Sequence, residues 1–577
     1  MTASTADAAR VTAPARTGTI TATHALVDCL FLAVVTGVSM VTYVGGLGFY
    51  YDDYSVLYRM AFSSDQSLVG LYDSVRPATG QRPLQALIFA TLYRLFGLDP
   101  LGYHLVNAGM LVAIAVLLYL VMRELRLPRL LCVGIPLVYS ILPHYATNRF
   151  WVNAFQINLS GLFYLLSLYA ALRALRARPI PLAGWLTVAF ACVAGSLFAY
   201  EVIFPLFALN VGLVWWAARQ LRGEEARGDS ARIVVGGLAA VILAAGIVKL
   251  VRVAEHGQNA YQVGFQDGFL HHIAYLVSGG IKLNLGTYLV AVPYVLWWIV
   301  RHAFGIADAA AAVAAGLLAF GYVWWIGQRD PRALAGGRHW RNSMGIGVLA
   351  LVLGYAIFLT NQQVLFRSAG IDNRVNAGAA LGVAAFLVGG TGWLALRLTE
   401  GRRPIFFSAV IGCVVATGVL IIGTLSSYWT VAADKQAAIV AGLQQTAPRL
   451  PRSSTVVLDG ICPEIGPAVV FADQWDFRGA LRLAYNDPLL RADTATEGLR
   501  AGPRQLELDM TFLDDRSTRT YQYGPHLFVY DFRRGTVYAL RDRNEATRYV
   551  SSRPAFSCTP QRGFAWGFDP SRRLSLL

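Results

Sequence analysis

A chain of 577 residues that is 55% hydrophobic and only 14% charged, with mean hydropathy +0.47, has too little charge to be a soluble protein of this size. Most of it must lie in lipid. The formal net charge of +15 does not signal a nucleic-acid partner, because Arg and Lys sit in short clusters between apolar runs, as in "RALRARPIP" and "RQLRGEEARGDSAR", which is the bias of cytoplasmic loops between membrane spans.

In chain order, residues 1–24 are rich in Ala and Thr, carry Arg10 and Arg16, and read as a disordered cytoplasmic tail. The next apolar run is too long for a signal-peptide core and lacks a convincing cleavage site, so 25–47 reads as an uncleaved first span. Its far end puts "GFYYDDYSVLYRM", with the adjacent carboxylates Asp52 and Asp53, outside the cytoplasm. Residues 48–100 form a first extracytoplasmic loop with juxtamembrane helices. In it "RPLQALIFATLYRLFG" is apolar but interrupted by Arg94, so it is expected to lie along the interface.

Further spans are expected at about 101–122, 130–143, 153–172, 181–200, 202–218 and 232–251, each roughly the 20 apolar residues a bilayer requires or a little less. Region 252–326 holds two apolar runs, 284–300 and 303–326, between a polar loop and the basic "RDPRALAGGRHWRN". Passing from outside to inside there needs an odd number of crossings. Either one run is re-entrant or interfacial, or the amphipathic 272–283 crosses as well. Spans at 344–360, 375–397 and 405–426 complete a transmembrane domain over 25–426. The total is 11, or 13 on the longer count. Both totals put the N-terminus inside and the C-terminus outside a bacterial inner membrane.

From about Ser427 the composition changes. An amphipathic helix, "YWTVAADKQAAIVAGLQQ", precedes the strand-like alternation of "STVVLDG", "RQLELDM", "HLFVYDF" and "TVYALRD". Residues 427–577 thus read as an extracytoplasmic α/β domain. Cys29, Cys132, Cys192 and Cys413 lie in apolar runs and read as small core residues. Cys462 and Cys558 lie in the polar tail and form the natural disulfide pair if that tail is in an oxidising compartment. The chain has no P-loop, dinucleotide fingerprint or HExxH motif, which speaks against an ATP-driven pump or a membrane metalloprotease.

Ionisable groups near spans are functional candidates because lipid makes them expensive. On the expected topology Asp52, Asp53, Arg76, Arg82, His104, His144, Arg149, Glu201, Lys282, Arg367, Asp372 and Arg374 share one side of the membrane. Arginines recognise phosphate through a planar fork of donors, and a carboxylate near a hydroxyl can act as general base. The set therefore describes a site for an anionic lipid headgroup beside a proton acceptor. Each member also has a plain structural reading. Asp52 and Asp53 could cap a helix beginning near Ser55. Glu201 could be a buried carboxylate paired with an arginine. His144 and Arg149 could be interfacial anchors, and Arg367 and Arg374 ordinary loop charges. The adjacent acids could take a divalent metal, but no His/Asp cluster shows a ligand spacing that demands one.

The order of these motifs resembles GT-C glycosyltransferases of the protein O-mannosyltransferase and lipid A aminoarabinose transferase type. An acidic pair follows the first span, then Arg82-Pro83-Leu84, then an amphipathic helix ending in Phe96-Gly97, then the second span. "FAYEVIFPL" resembles their Lys-Glu element, with Tyr200 where lysine is usual, and "FRSAGIDNRVNAG" resembles their later outside loop. The resemblance covers roughly 25–400. It implies transfer of a sugar from a polyprenyl-phosphate donor to an acceptor hydroxyl on a glycan, lipid or protein, with inversion. Asp52 or Asp53 would be the base. Neighbouring aromatics favour Asp53 and family position favours Asp52, so both are kept. Arg82, Arg149, Arg367 and Arg374 would hold the donor phosphate, and Glu201 and His144 would orient substrate. Some relatives need a divalent metal and others do not. The alternatives are a lipid-linked polysaccharide ligase or polymerase, which needs no acidic pair, and a transporter, for which no inverted repeat is visible.

Overall fold

The computed structural model describes residues 22–554 apart from 81, 222–227, 256–267, 304, 331–333, 335, 361–363, 496–497 and 510–517. Most of the expected tail over 1–24, and Cys558 with its expected pairing to Cys462, lie outside the described residues. The first half of the chain is helical: α1 (Ala22–Val38), α2 (Asp52–Ala61), α3 (Leu68–Thr79), α4 (Pro83–Phe96), α5 (Pro100–Glu124), α6 (Arg129–Ile141), α7 (Thr147–Phe150), α8 (Phe155–Ala174), α9 (Pro179–Ala199) and α10 (Phe207–Leu221). There follow α11 (Gly228–Glu255), α12 (Phe269–Ile281), α13 (Val292–His302), α14 (Ile306–Arg329), α15 (Gly337–Ala356), α16 (Ala377–Ala395) and α17 (Arg403–Thr446). Among the described residues ten helical segments are long and apolar enough to cross a membrane, so this is a multi-pass membrane protein.

Two expected spans are shorter than expected. Helix α1 stops at Val38, and the chain goes on through turns and a short 3-10 segment, Val44–Gly46, instead of one helix to residue 47. Helix α6 has 13 residues, about 20 Å at 1.5 Å per residue, and all 13 are buried. It is an interior helix with no lipid face. The run 284–300 is divided. Its first half continues α12 as a π-helical segment, Lys282–Val290, so that Phe269–Val290 forms one span. Its second half is α13, only 11 residues long. Pro293 at the start of α13 lacks the N–H that a continuous helix would need, so the chain breaks there.

Pairs of helices pack through small residues, as lipid-exposed bundles do. Between α15 and α16 the backbones approach so closely that a Cβ on Gly354 would collide with the backbone of Ala379. Near one end of the bundle, α1, α5, α6 and α14 meet at a buried ion pair. The Arg129 guanidinium donates to both oxygens of Asp28, which also accept from Tyr119 (2.7 Å) and Tyr322 (2.6 Å).

Helix α17 runs unbroken for 44 residues, joining the last expected span and the expected amphipathic helix into one rod. It carries the C-terminal domain: β1 (Thr455–Asp459), β2 (Glu464–Ile465), β3 (Ala468–Val469), α18 (Gln474–Tyr485), β4 (Arg491–Thr494), β5 (Gly498–Ala501), β6 (Gln505–Asp509), β7 (Thr518–Gln522), β8 (Leu527–Asp531), β9 (Thr536–Ala539) and α19 (Arg543–Ser552). The main sheet has the order β4-β1-β8-β9. Strand β1 is central and parallel to both neighbours, with Thr455 opposite Arg491 and Leu527, and β9 closes one edge antiparallel. Its nearly continuous burial explains the run "VVL", since parallel strands are covered on both faces. Strands β5–β7 form a separate antiparallel sheet.

One apolar core runs from the membrane helices through Trp429, Ile439 and Leu443 of α17 into Val470, Phe471 and Phe477 of the domain. On this side of the bundle α2 is clamped against the domain. Gly479 of α18 lies so close to the Tyr54 carbonyl that a side chain there would collide with it.

Candidate active site

The site begins with how Asp52 and Asp53 are delivered. The segment before them is pinned to α17, because the Tyr50 hydroxyl donates to the Trp429 carbonyl at 2.7 Å. Tyr51 then adopts φ 49°, ψ −116°, a conformation L side chains rarely take. Strain of that kind costs about 1–3 kcal/mol and persists only where the surroundings enforce it. Here Trp151 and Trp475 pack edge-on against the Tyr51 ring, with centres 6.0 and 5.4 Å away. The kink starts α2 abruptly, with both acids in its first turn.

The two acids then diverge. Asp53 is fully buried, and its two oxygens accept from the backbone N–H groups of Tyr50 (2.9 Å) and Asn153 (2.8 Å). It ties the start of α2 to the turn after α7. Burial pushes its carboxyl well above the usual range. Asp52 is half-buried and turns toward Arg374 and Trp475, with Asp473 and Arg82 in its field. Burial pushes its carboxyl up to about 6, and the Arg374 charge works against that shift. With both Asp53 oxygens held by backbone donors, the pair does not converge into a shared cation site. Among the described residues no group of three or more His, Cys, Asp or Glu is placed to hold a metal.

The arginines are distributed unevenly. Arg374 lies over the Trp151 ring (5.1 Å), donates to the Ile371 carbonyl, and sits beside Tyr200, Asp372 and Asp52. Arg82 grips Glu201 with two donors, Nε at 3.2 Å and Nη2 at 2.6 Å, and stacks on Tyr200 at 4.1 Å. Arg367 is at the rim, 3.4 Å from Asp372 and 38% exposed. Arg149 points away from Asp52 into the bundle, donating to Ser39, Tyr43 and the Ser140 carbonyl. His144 is buried against Tyr288, ring centres 3.7 Å apart, and burial drives its imidazole down to about 3, so it is neutral. The structure thus brings Asp52, Arg82, Glu201 and Arg374 together, with Arg367 at the edge, and leaves Asp53, Arg149 and His144 on structural contacts.

Lys249 joins this group without having been a sequence candidate. Its Nζ lies 3.7 Å from Glu201 Oε2, reaching in from α11. A lone lysine inside the apolar run 232–251 was the available signal. It places an ammonium next to Glu201.

Behind the 366–378 loop lies a cavity of about 920 Å³ among α12, its π-helical continuation, α15, α16 and α17. Its lining is almost wholly apolar, with His144, Asn284 and Tyr288 among the few polar groups. Asn373, next to Arg374 in sequence, donates to the His144 carbonyl (2.8 Å) and to the Tyr288 hydroxyl (3.1 Å). One residue therefore links the cavity to the charged site.

No family model matches the chain, and no curated protein matches it significantly. Among solved structures the chain is similar to ArnT from Cupriavidus metallidurans bound to undecaprenyl phosphate, with TM-score 0.38 and 15% identity over 82% of this chain and 86% of that one. It is similar to the same protein in the apo state, with TM-score 0.36 and 14% identity over 80% and 84%. It is also similar to the apo Archaeoglobus fulgidus oligosaccharyltransferase, with TM-score 0.40 and 11% identity over 81% of this chain and 64% of that one.

Proposed function

We propose that the protein is an inverting glycosyltransferase that takes a sugar from a polyprenyl-phosphate donor and passes it to an acceptor hydroxyl on the extracytoplasmic face of a bacterial inner membrane. The observation that carries this reading is the unequal pair: Asp53 is held by backbone donors, while Asp52 faces Arg374, whose neighbour Asn373 bonds to His144 and Tyr288 in the wall of an apolar cavity. Asp52 is the base in this reading. It removes the acceptor proton as the oxygen attacks the anomeric carbon, and the lipid phosphate leaves with the electrons of the broken C–O bond. A carboxyl held near 6 is well placed for this, since a base works best when its pKa lies near the working pH. In this reading Arg374, with Arg367 at the rim, holds the phosphate as its charge grows. The apolar cavity suits the polyprenyl chain. Glu201, fixed between Arg82 and Lys249, orients the sugar.

The test is transfer from radiolabelled polyprenyl-phosphate sugars in membranes containing wild type, Asp52→Asn or Asp53→Asn at matched levels. Loss of transfer in Asp52→Asn with donor binding retained is expected. Full activity in Asp52→Asn would reduce the acid to a helix-terminal charge. Turnover of a pyrophosphate-linked glycan in place of any monophosphate donor would point to a ligase.

A further inference from the structure

Helix α2 leads away from the membrane alongside α17. The Tyr50 hydroxyl donates to the Trp429 carbonyl at 2.7 Å and the Tyr54 hydroxyl to Gln436 at 3.4 Å. Further along α17 the end of α18 takes up the packing, with Gln444 donating to the Ala484 carbonyl and the Tyr485 hydroxyl to the Ala447 carbonyl, both at 2.8 Å. From residue 426, where the last expected span ends, to Gln444 is about 27 Å along a helix axis. Three arginines gather toward that end. The Arg482 guanidinium lies over the Tyr58 ring at 4.8 Å, and that of Arg59 lies 5.6 Å from the same ring. Arg478, one turn earlier on α18, adds its charge to theirs. Arg59 is exposed, and Arg478 and Arg482 keep part of their surface in solvent. Among the described residues none of the three forms an ion pair with a carboxylate. Burial, and after it the charges of Arg478 and Arg59, pull the Arg482 guanidinium below its ordinary value, with Tyr58 working against them. Guanidiniums gathered without acids repel one another, and an anion set among them relieves the repulsion.

We infer that Arg59, Arg478 and Arg482 form a binding surface for an anionic glycan, and that this glycan is the acceptor. The second half of the inference rests on the transferase reading above. The bilayer is a poor source of the anion, because lipid headgroups extend only about 5–8 Å beyond the hydrocarbon, well short of the end of α18. The surface is continuous with Asp52. Arg59 follows Asp52 by two turns on α2, Arg478 and Arg482 follow Trp475 by one and two turns on α18, and Trp475 stands beside Asp52. A chain that offers one hydroxyl to Asp52 and extends away from the membrane therefore passes its charged groups along these arginines. The guanidinium fork accepts phosphate and carboxylate alike. A glycan bearing either group carries both the anion and the hydroxyl that the transfer needs.

The experiment measures binding first, to the full chain in phosphatidylcholine nanodiscs without donor. The probes are a fluorescent oligogalacturonate, its neutral methyl ester and a phosphorylated maltooligosaccharide. Wild type should bind at least one charged oligomer, several-fold more weakly as salt rises from about 0.05 to 0.3 M, and should ignore the ester. Arg478→Gln combined with Arg482→Gln should weaken binding about tenfold, and Arg59→Gln, at an exposed position, about threefold. Arg504→Gln combined with Arg548→Gln, exposed elsewhere on the same domain, should leave it unchanged. An equal loss in that control pair, or equal binding of the ester, would overturn the surface. Inorganic phosphate that competes as well as the oligomers would reduce it to a site for free anions, and an oligoglutamate peptide bound as tightly would give it to an acidic protein segment; either overturns the glycan. With a radiolabelled polyprenyl-phosphate sugar added, the Arg478 and Arg482 double variant should raise the KM for the charged acceptor about tenfold and leave that for the donor unchanged. An unchanged acceptor KM would overturn the acceptor assignment. A wild type that binds the charged oligomers and consumes no donor would remove the transferase reading and leave the anionic-glycan surface standing.

Discussion

Asp52 and Asp53 are adjacent in the chain and opposite in attachment: the Asp53 carboxylate accepts from the backbone N–H groups of Tyr50 and Asn153, and that of Asp52 faces Arg374. The division predicts opposite phenotypes. Asp52→Asn should lose about 10²–10⁴-fold in transfer, the usual worth of a positioned base, with an unchanged thermal midpoint in detergent. Asp53→Asn turns an amide toward two backbone donors and should lose about 1–3 kcal/mol of stability. Its midpoint should fall, and the protein that remains folded should keep much of its activity. Equal activity losses at unchanged stability would reject the division.

The pH profile gives an independent check. Burial favours the neutral form of Asp52 and holds its carboxyl at about 6, above the ordinary 3.8. The ionised, proton-accepting form therefore dominates only above about 6 and is lost as pH falls through that value. A plot of log kcat/KM should be level near neutrality and drop with unit slope on the acid side. A profile that stays level to pH 4.5 would exclude Asp52 as the base.

The sequence carried the helical membrane class, the strand pattern of the tail and the position of the acidic pair, because each is written in local periodicity or composition. "STVVLDG" and "HLFVYDF" became β1 and β8 because alternating and apolar runs bounded by turns have few other uses. Which acid faces Arg374 and which is held by the backbone was not legible. That depends on the φ of Tyr51 and on a backbone N–H offered by Asn153, 100 residues away. Arg149 resembles Arg374 in sequence because both lie in short segments expected between spans; only the packing of Ser39, Tyr43 and Ser140 around the first separates them. Trp475 beside Asp52 was not legible either, because the docking of its domain onto α2 leaves no local trace in the sequence.

The Arg82–Glu201 fork should behave as one unit. Glu201→Gln leaves Arg82 and Lys249 facing each other without the charge between them. Arg82→Gln and Glu201→Gln should each lower the thermal midpoint and the transfer rate, and the double variant should be less impaired than the sum. The coupling should fall in the range of about 0.5–3 kcal/mol typical of contacting residues. A double-mutant cycle that closes additively would show that the fork contributes nothing as a pair.

The cavity makes a prediction about chain length. Thr417, on α17, lines it together with Leu351 and Phe386. If the cavity takes the polyprenyl chain as proposed, Thr417→Trp would occupy part of its space, and each displaced methylene forfeits about 0.8 kcal/mol of burial. The KM for a long-chain polyprenyl-phosphate sugar should rise, while that for an analogue of one or two isoprene units should change little. An equal rise for both donors would place the lipid elsewhere.

The last prediction concerns stability away from the site. Asp28 is completely buried and is satisfied by the Arg129 fork and by the hydroxyls of Tyr119 and Tyr322, so three groups from three other helices depend on one carboxylate. Taking two charges out of water is expensive, and the pair recovers that expense only while both partners are present. Asp28→Ala strands the Arg129 guanidinium and should cost about 3–5 kcal/mol. Replacing both partners by apolar residues, Asp28→Leu with Arg129→Met, removes the stranded charge and should restore much of the loss, although the two tyrosines then lack an acceptor. Thermal unfolding of the three proteins in the same detergent decides the point. A double variant as unstable as Asp28→Ala would mean that the hydroxyl contacts of Tyr119 and Tyr322, more than the ion pair, join α1 to α5 and α14.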